Sequence, residues 1–212
     1  MTDTAAWSMV ETMARMQEAH NRQVHAQWRT EGYPYYRAVW VECAELLDHF
    51  GWKWWKHQQP DQDQVKLEVV DIWHFGLSDL LRADALEPAI AERLDAVPAA
   101  AAGDGECFRL AVENLAQQTL SDRLFAMAPF IAVLESLPMD LGELFRLYVG
   151  KNVLNHFRQD HGYKSGEYRK IWSGREDNAH LVELLETLDA PAEQVPERLY
   201  EALERRYAGG GA

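Results

Sequence analysis

The chain has 212 residues, 47% of them hydrophobic and 26% charged, which suits one globular domain with a sizeable core. Its net charge of −13 argues against a broad nucleic-acid-binding surface and against an anionic membrane as partner. Two cysteines without close spacing, Cys43 and Cys107, make neither a zinc site nor a disulfide framework and fit a reducing cytoplasm; no basic-then-apolar signal pattern opens the chain, and no apolar run reaches the ~20 residues that span a bilayer.

No segment alternates with period two over the length of a strand, so the expected fold class is all-α, a helical bundle in a single domain over 1–212. Helix one is expected over about 4–29, ended by Gly32-Tyr33-Pro34, helix two over about 36–50, stopping near Gly51, and helix three over about 62–82 after Pro60. A weaker helix at 86–96 precedes an alanine- and glycine-rich stretch, 97–105, read as a mobile loop. Helices resume at about 106–120 and 122–136, divided by Ser121-Asp122 as an N-cap, and a long helix at about 140–160 ends at Gly162. An ordered loop rich in Gly, Lys, Arg and Tyr fills 162–176; helices at 177–189 and 192–207 and a frayed end at 208–212 complete the chain.

Two of these helices carry acids in apolar company. Glu42 and Glu45 sit in AVWVECAELLDHF, and Glu68 and Asp71 in VKLEVVDIWHFGLS. Each pair is spaced i, i+3, so both carboxylates leave one side of a helix. Solvated helix faces are the usual fate of such acids, but the apolar neighbours place these helices in a core. Two like charges ~4 Å apart repel by ~4 kcal/mol at an effective dielectric of ~20. A hard divalent cation with oxygen ligands, one to three Mg²⁺ ions, resolves that conflict. At 100° per residue, Glu42, Glu45 and His49 share one stripe, as do Glu68, Asp71 and Phe75.

Helix one places Val10, Met13, Gln17, Asn21, Val24 and Trp28 in one angular sector, so Gln17 and Asn21 face the core. Buried primary amides need partners for donors and acceptors alike. Nearby backbone could supply them, or the amides could read the edge of a flat polar heterocycle, with Trp52, Trp54, Trp55, Trp73 and Phe75 at hand to stack on it. From Lys151 to Arg175 six basic residues outweigh two acids, and Lys151, Asn155 and Arg158 fall on one helical face. That is either a solvated basic loop or a phosphate clamp; beside a carboxylate–metal cluster it describes a polyphosphate site. Neither glycine-rich phosphate-loop pattern occurs, no serine has a His–Asp context, and the eight histidines lack metal-ligand spacing of the H-E-x-x-H type.

The runs WVECAELLDHFGWKWWK and VKLEVVDIWHFGLSDLL resemble the dimeric, all-α dUTP diphosphatases, within the superfamily of all-α nucleoside triphosphate pyrophosphatases. The run KNVLNHFRQDHGYKSGEYRKIWSGREDN is similar to that family too and is more specific than the acid pairs. The resemblance covers helices one to three and about 140–180, and leaves 84–136 and the last thirty residues weakly matched. It implies an α-helical homodimer converting dUTP and water to dUMP and diphosphate, in nucleotide-pool sanitation and dUMP supply for dTMP synthesis. By similarity, Glu42, Glu45, Glu68 and Asp71 match magnesium ligands, with Glu42 or Glu45 also serving the attacking water. Gln17 and Asn21 match uracil-facing amides, and Trp55 and Phe75 match aromatics flanking base or sugar. Lys151, Asn155, Arg158, Tyr163, Lys170 and Asn178 match phosphate and sugar contacts. A grip on the terminal two phosphates would also tolerate dUDP. Two other readings stand beside this one: a related pyrophosphatase preferring dCTP or a modified nucleotide, and a non-catalytic helical dimer.

Overall fold

The computed structural model describes residues 4–100 and 104–209, and packs them as two compact units, Met1–Leu144 and Phe145–Ala212. Residues 101–103 of the expected mobile loop and 210–212 of the expected frayed end lie outside the described residues. Among the described residues no helix is long and apolar enough to cross a membrane.

The first unit contains α1 (Thr4–Val24), α2 (Tyr35–Phe50), α3 (Gln62–Arg82), α4 (Pro88–Asp95), α5 (Gly105–Asp122) and α6 (Met127–Glu135). Local chemistry sets most boundaries. Pro34 and Gly51 bracket α2, Gly51 taking a φ of 96° while its N–H closes on Leu47 O. The Asp61 side chain accepts from Gln64 N to open α3, and Asp104 caps α5 by accepting from Glu106 N and Cys107 N at 3.0 Å each. The α5–α6 break falls at 123–126, past the expected Ser121-Asp122 cap, because Arg123 turns left-handed at φ 56° and ends α5 there.

Helix α3 is the axis of this unit, packed against α1 and α2, while α5 packs on α2 and α6. Its apolar residues Val65, Val69, Ile72, Trp73 and Leu77 are fully enclosed, and Trp73 stacks on Phe130 with ring centroids 5.4 Å apart. Helix α1 ends at Val24, not near 29. His25 N still reaches Asn21 O, but the chain then turns so that Trp28 tucks under, donating its Nε1–H to Glu18 Oε1 at 3.3 Å. Val24, expected inward, is left exposed by the same turn. Helix α2 also departs from expectation: Trp40, Val41, Ala44 and Glu45 are exposed, so its apolar residues are divided between a core face and an open one.

The second unit holds α7 (Leu141–Asp160, begun in the first), a hairpin of β1 (Ile171–Trp172) and β2 (Arg175–Glu176), α8 (Asp177–Thr187), a 3₁₀ turn at Ala192–Gln194 and α9 (Val195–Gly209). Ser173 and Gly174 both take positive φ, 48° and 75°, the geometry of a tight two-residue hairpin turn. The strands are two residues long, too short to show alternation, which is why this segment reads as a loop in sequence. Trp172 and Phe157 are buried in an aromatic cluster with Tyr168, Tyr200 and Tyr207.

Gly76 of α3 lies under the Phe125 ring, and a Cβ there would stand 2.6 Å from two ring atoms. Phe125 has little room to give, since its N–H is held by Asp79 Oδ2 at 2.8 Å and its ring meets Trp73 and Phe130. Gly76→Ala is expected to destabilise the protein by about 1–3 kcal/mol despite the better helix propensity of alanine. The measurement is the urea unfolding midpoint; an unchanged or raised midpoint contradicts the packing described.

Candidate active site

Helices α2 and α3 bring three acids together. One carboxylate oxygen each from Glu42, Glu68 and Asp71 lies within 4.8 Å of the others. His49 Nε2 stands 3.7 Å from Glu68 Oε1, one helix end beyond. His49 beside Glu68, with Glu42 beside Asp71, is the pairing of two antiparallel helices. Glu68 is buried, and Glu42 and Asp71 are half-buried. Burial first, then the charges of Asp71 and Glu45 and a hydrogen bond with Glu68, push the Glu42 carboxyl up to about 7. Glu45 stands outside the close group, exposed on the next turn of α2, although its charge still reaches Glu42. A donor set of clustered carboxylate oxygens that resist ionising together fits a hard divalent cation.

Further along the same face of α3 lies a polar network. Gln17 and Asn21 of α1 are buried, as the sequence periodicity expects, and side chains of α1 and α3 are among their partners. Gln17 Nε2 donates to Asn21 Oδ1 at 3.0 Å and to Ser78 Oγ at 2.9 Å, and Asn21 Nδ2 donates to Ser78 Oγ at 3.0 Å. His74 Nδ1 meets Gln17 Oε1 at 2.8 Å. Since Gln17 Nε2 is turned to two acceptors, Oε1 is the amide oxygen and His74 Nδ1 carries the hydrogen. His74 and Ser78 were not among the residues the sequence singled out. Ser78 was legible in principle, for it lies on the Glu68–Asp71–Phe75 stripe as a hydroxyl.

Phe75 is half-buried on that stripe. Trp55 lies in the 51–61 connection between α2 and α3, 57% exposed, with Trp52 and Trp54 each 5.2 Å away edge-on. The connection is pinned by Lys53 N donating to Gln58 Oε1 and by Arg109 Nε donating to Gly51 O.

In the second unit, Lys151, Asn155 and Arg158 project from α7, Tyr163 and Lys170 from the following loop, and Asn178 from the first turn of α8. Asn155, Tyr163, Lys170 and Asn178 are exposed; Lys151 and Arg158 are half-buried. Arg158 is not a free cation. Its Nε and Nη2 donate to the two oxygens of Asp177 at 2.8 and 3.0 Å, and Tyr168 Oη and Asn178 N donate to the same carboxylate. Asp177 has no exposed side-chain surface. Burial alone would raise its pKa, but the hydrogen bonds from Arg158 and Tyr168 outweigh it and hold the carboxyl below its ordinary value. Asp177 is the organising residue here, and sequence reasoning passed over it because a single acid at a helix start reads as an ordinary dipole-complementing residue.

A family model described as dUTPase matches residues 9–163, which span the acids, the amides, Trp55, Phe75, Lys151, Asn155, Arg158 and Tyr163. The chain belongs to this dUTPase family. No curated protein matches it. Its reaction is the hydrolysis of dUTP, on an all-α fold. Lys170 and Asn178 lie beyond the matched segment, which itself crosses the boundary between the two units.

Two outcomes follow from the electrostatics. Because the Glu42 pKa is raised in the folded state, its protonated form favours folding at low pH, and that contribution is lost as pH rises through about 7. Without divalent cations the melting temperature should therefore fall between pH 6 and pH 8, and added Mg²⁺ should raise it more at pH 8, where protons no longer compete. Thermal melts with EDTA or Mg²⁺ measure this; a cation effect equal at both pH values contradicts it. In the second unit, Asp177→Ala strands the Arg158 guanidinium and should cost about 3–5 kcal/mol in urea unfolding, against at most a few tenths for exposed Asp160→Ala.

Proposed function

We propose that this dUTPase hydrolyses dUTP to dUMP and diphosphate with Mg²⁺, held by Glu42, Glu68 and Asp71 together with Glu45. The observation that carries the reading is the approach of three carboxylates within 4.8 Å in a partly buried setting. When bound, the cation would neutralise phosphate charge and lower the pKa of a coordinated water. Glu45, exposed one turn from Glu42, is suited to accept the proton of the attacking water, and Glu42 shares that role through its high pKa.

Gln17 and Asn21 are assigned to the uracil edge, and Phe75 and Trp55 to the faces of base or sugar. Their support is the run of amide, hydroxyl and aromatic groups along α1 and α3. Lys151, Asn155, Arg158, Tyr163, Lys170 and Asn178 are assigned to phosphates and sugar, on the likeness of the run 151–178 to the family. Lys151, Arg158 and Lys170 would stabilise charge on the leaving diphosphate. We take both units as one functional dUTPase domain, because the family match runs through their boundary. The physiological role is removal of dUTP from the nucleotide pool and supply of dUMP in the cytoplasm.

A homodimer is part of this proposal. The outward face of α2 leaves Trp40 and Val41 more than 40% exposed, and α5 leaves Leu110 and Leu120 exposed. Apolar area of this kind on two helices of one unit fits a second copy of the chain. Light scattering should give about twice the 24.3 kDa of one chain; a mass of one chain at micromolar concentration removes the dimer.

Diphosphate release from dUTP with titrated Mg²⁺ tests the chemistry. Glu45→Gln should lower kcat by about 10²–10⁴-fold while helical content is retained. Glu68→Gln should also abolish the stabilisation by Mg²⁺ in a thermal melt. Unchanged turnover in both variants would sink the carboxylate–cation reading.

A further inference from the structure

We propose that Asp177 is a positioning residue for phosphate binding: by taking one edge of the Arg158 guanidinium it leaves the other, flanked by Asn155 and Asn178, as a preformed fork for the diphosphate part of the nucleotide. This rests on the reading that Arg158 contacts phosphate, and adds which edge does so and what holds it there.

A guanidinium carries five N–H groups in one rigid plane, and its side edge (Nε with Nη2) and end edge (Nη1 with Nη2) can each grip an oxyanion through two parallel bonds. In Arg158 the side edge is taken. Nε donates to Asp177 Oδ2 at 2.8 Å and Nη2 to Asp177 Oδ1 at 3.0 Å. That carboxylate is held from every side. Each oxygen carries a second donor, Tyr168 Oη on Oδ2 and Asn178 N on Oδ1, both at 2.8 Å, and the side chain has no exposed surface. The Asp177 backbone is tied as well, its N–H closing on Lys170 O at 2.9 Å. A saturated, enclosed carboxylate of this kind fixes the plane of the guanidinium it binds.

The end edge is dressed differently. Among the described residues it meets the carboxamide oxygens of Asn155, 3.4 Å from Nη1, and of Asn178, 3.4 Å from Nη2. Both contacts are longer than an ordinary N–H···O bond, and both come from exposed side chains. A phosphate oxygen is charged and accepts more strongly than a neutral amide, so an arriving diphosphate displaces them. The same two amides, turned over, offer it their Nδ2 hydrogens. Groups from α7 and from the first turn of α8 then converge on one anion. Because Asp177 holds the fork in advance, binding freezes few rotamers of Arg158; without that carboxylate either edge could meet the anion and no single pose is selected.

The probe is inorganic diphosphate, read as an inhibitor of dUTP hydrolysis with Mg²⁺ present. Asp177→Asn keeps the shape of the side chain and removes its charge. It should raise the inhibition constant of diphosphate about tenfold or more, as Arg158→Ala should, and lower kcat with it. Added to Arg158→Ala, Asp177→Asn should raise that constant no further, because both changes act through one guanidinium. A merely structural role predicts a lower melting temperature with the inhibition constant unmoved; that outcome, or losses that multiply in the double variant, overturns the proposal. Arg158→Ala alone tests the reading beneath, since an unmoved constant there removes phosphate binding by Arg158. A constant raised in Arg158→Ala but unmoved in Asp177→Asn removes Asp177 alone. Should Asp177→Asn not fold, NMR of the Arg158 guanidinium in the wild type decides. Diphosphate should shift the Nη signals and leave Nε–H slow to exchange, and an Nε–H released to fast exchange overturns the fork.

Discussion

Packing α2 against α3 buries apolar side chains and, in doing so, presses like charges together. Val39, Cys43 and Leu46 on one helix and Val65, Val69 and Ile72 on the other are fully enclosed, and that burial is the favourable side of the contact. The same interface sets Glu42, Glu68 and Asp71 within 4.8 Å. Folding therefore holds an electrostatic conflict in place beside the apolar side chains it buries. The conflict is expressed in the Glu42 carboxyl, which retains its proton to about pH 7. A dUTPase whose acids are arranged this way is partly frustrated until a cation or a proton joins it, and hydrolysis of a charged polyphosphate is the chemistry to which such a site is matched.

The second polar feature of the first unit is of the opposite kind. Gln17, Asn21, His74 and Ser78 bury donors and acceptors that satisfy one another. Such a network is costly to disturb and rigid when complete. The two features lie on the same side of α3, so one helix carries a charged region that attracts ligands and a neutral region whose hydrogen-bond directions are fixed. Catalysis and recognition place different demands on an environment, and α3 meets both by changing residue type along a single stripe.

The second unit shows how a basic segment is organised. Six cations in twenty-five residues would otherwise repel and move. Asp177 gathers Arg158, Tyr168 and the Asn178 backbone around one enclosed carboxylate. Among the described residues Lys170 pairs with exposed Glu176, at 3.7 Å, where solvent screening leaves little energy. Arg158 is thus held rigidly and Lys170 loosely, although both read as equivalent cations in the sequence.

Local rules in the sequence settled much of this protein. Period 3.6, Pro34, Gly51, Asp61 and Asp104 determined where α2, α3 and α5 begin or end, because caps and breakers act within a few residues. The i, i+3 acid pairs and the inward amides of α1 were legible for the same reason, and so was the family. What only the tertiary structure decided was partnership. That Glu45 stands apart from the other three acids, that Trp28 turns back while Val24 points out, that Ser78 joins two amides, and that Arg158 belongs to Asp177 all depend on which helix lies opposite. Periodicity assigns a side chain to a face of its own helix; the group it meets there is set by packing between residues tens of positions apart, which no local pattern encodes.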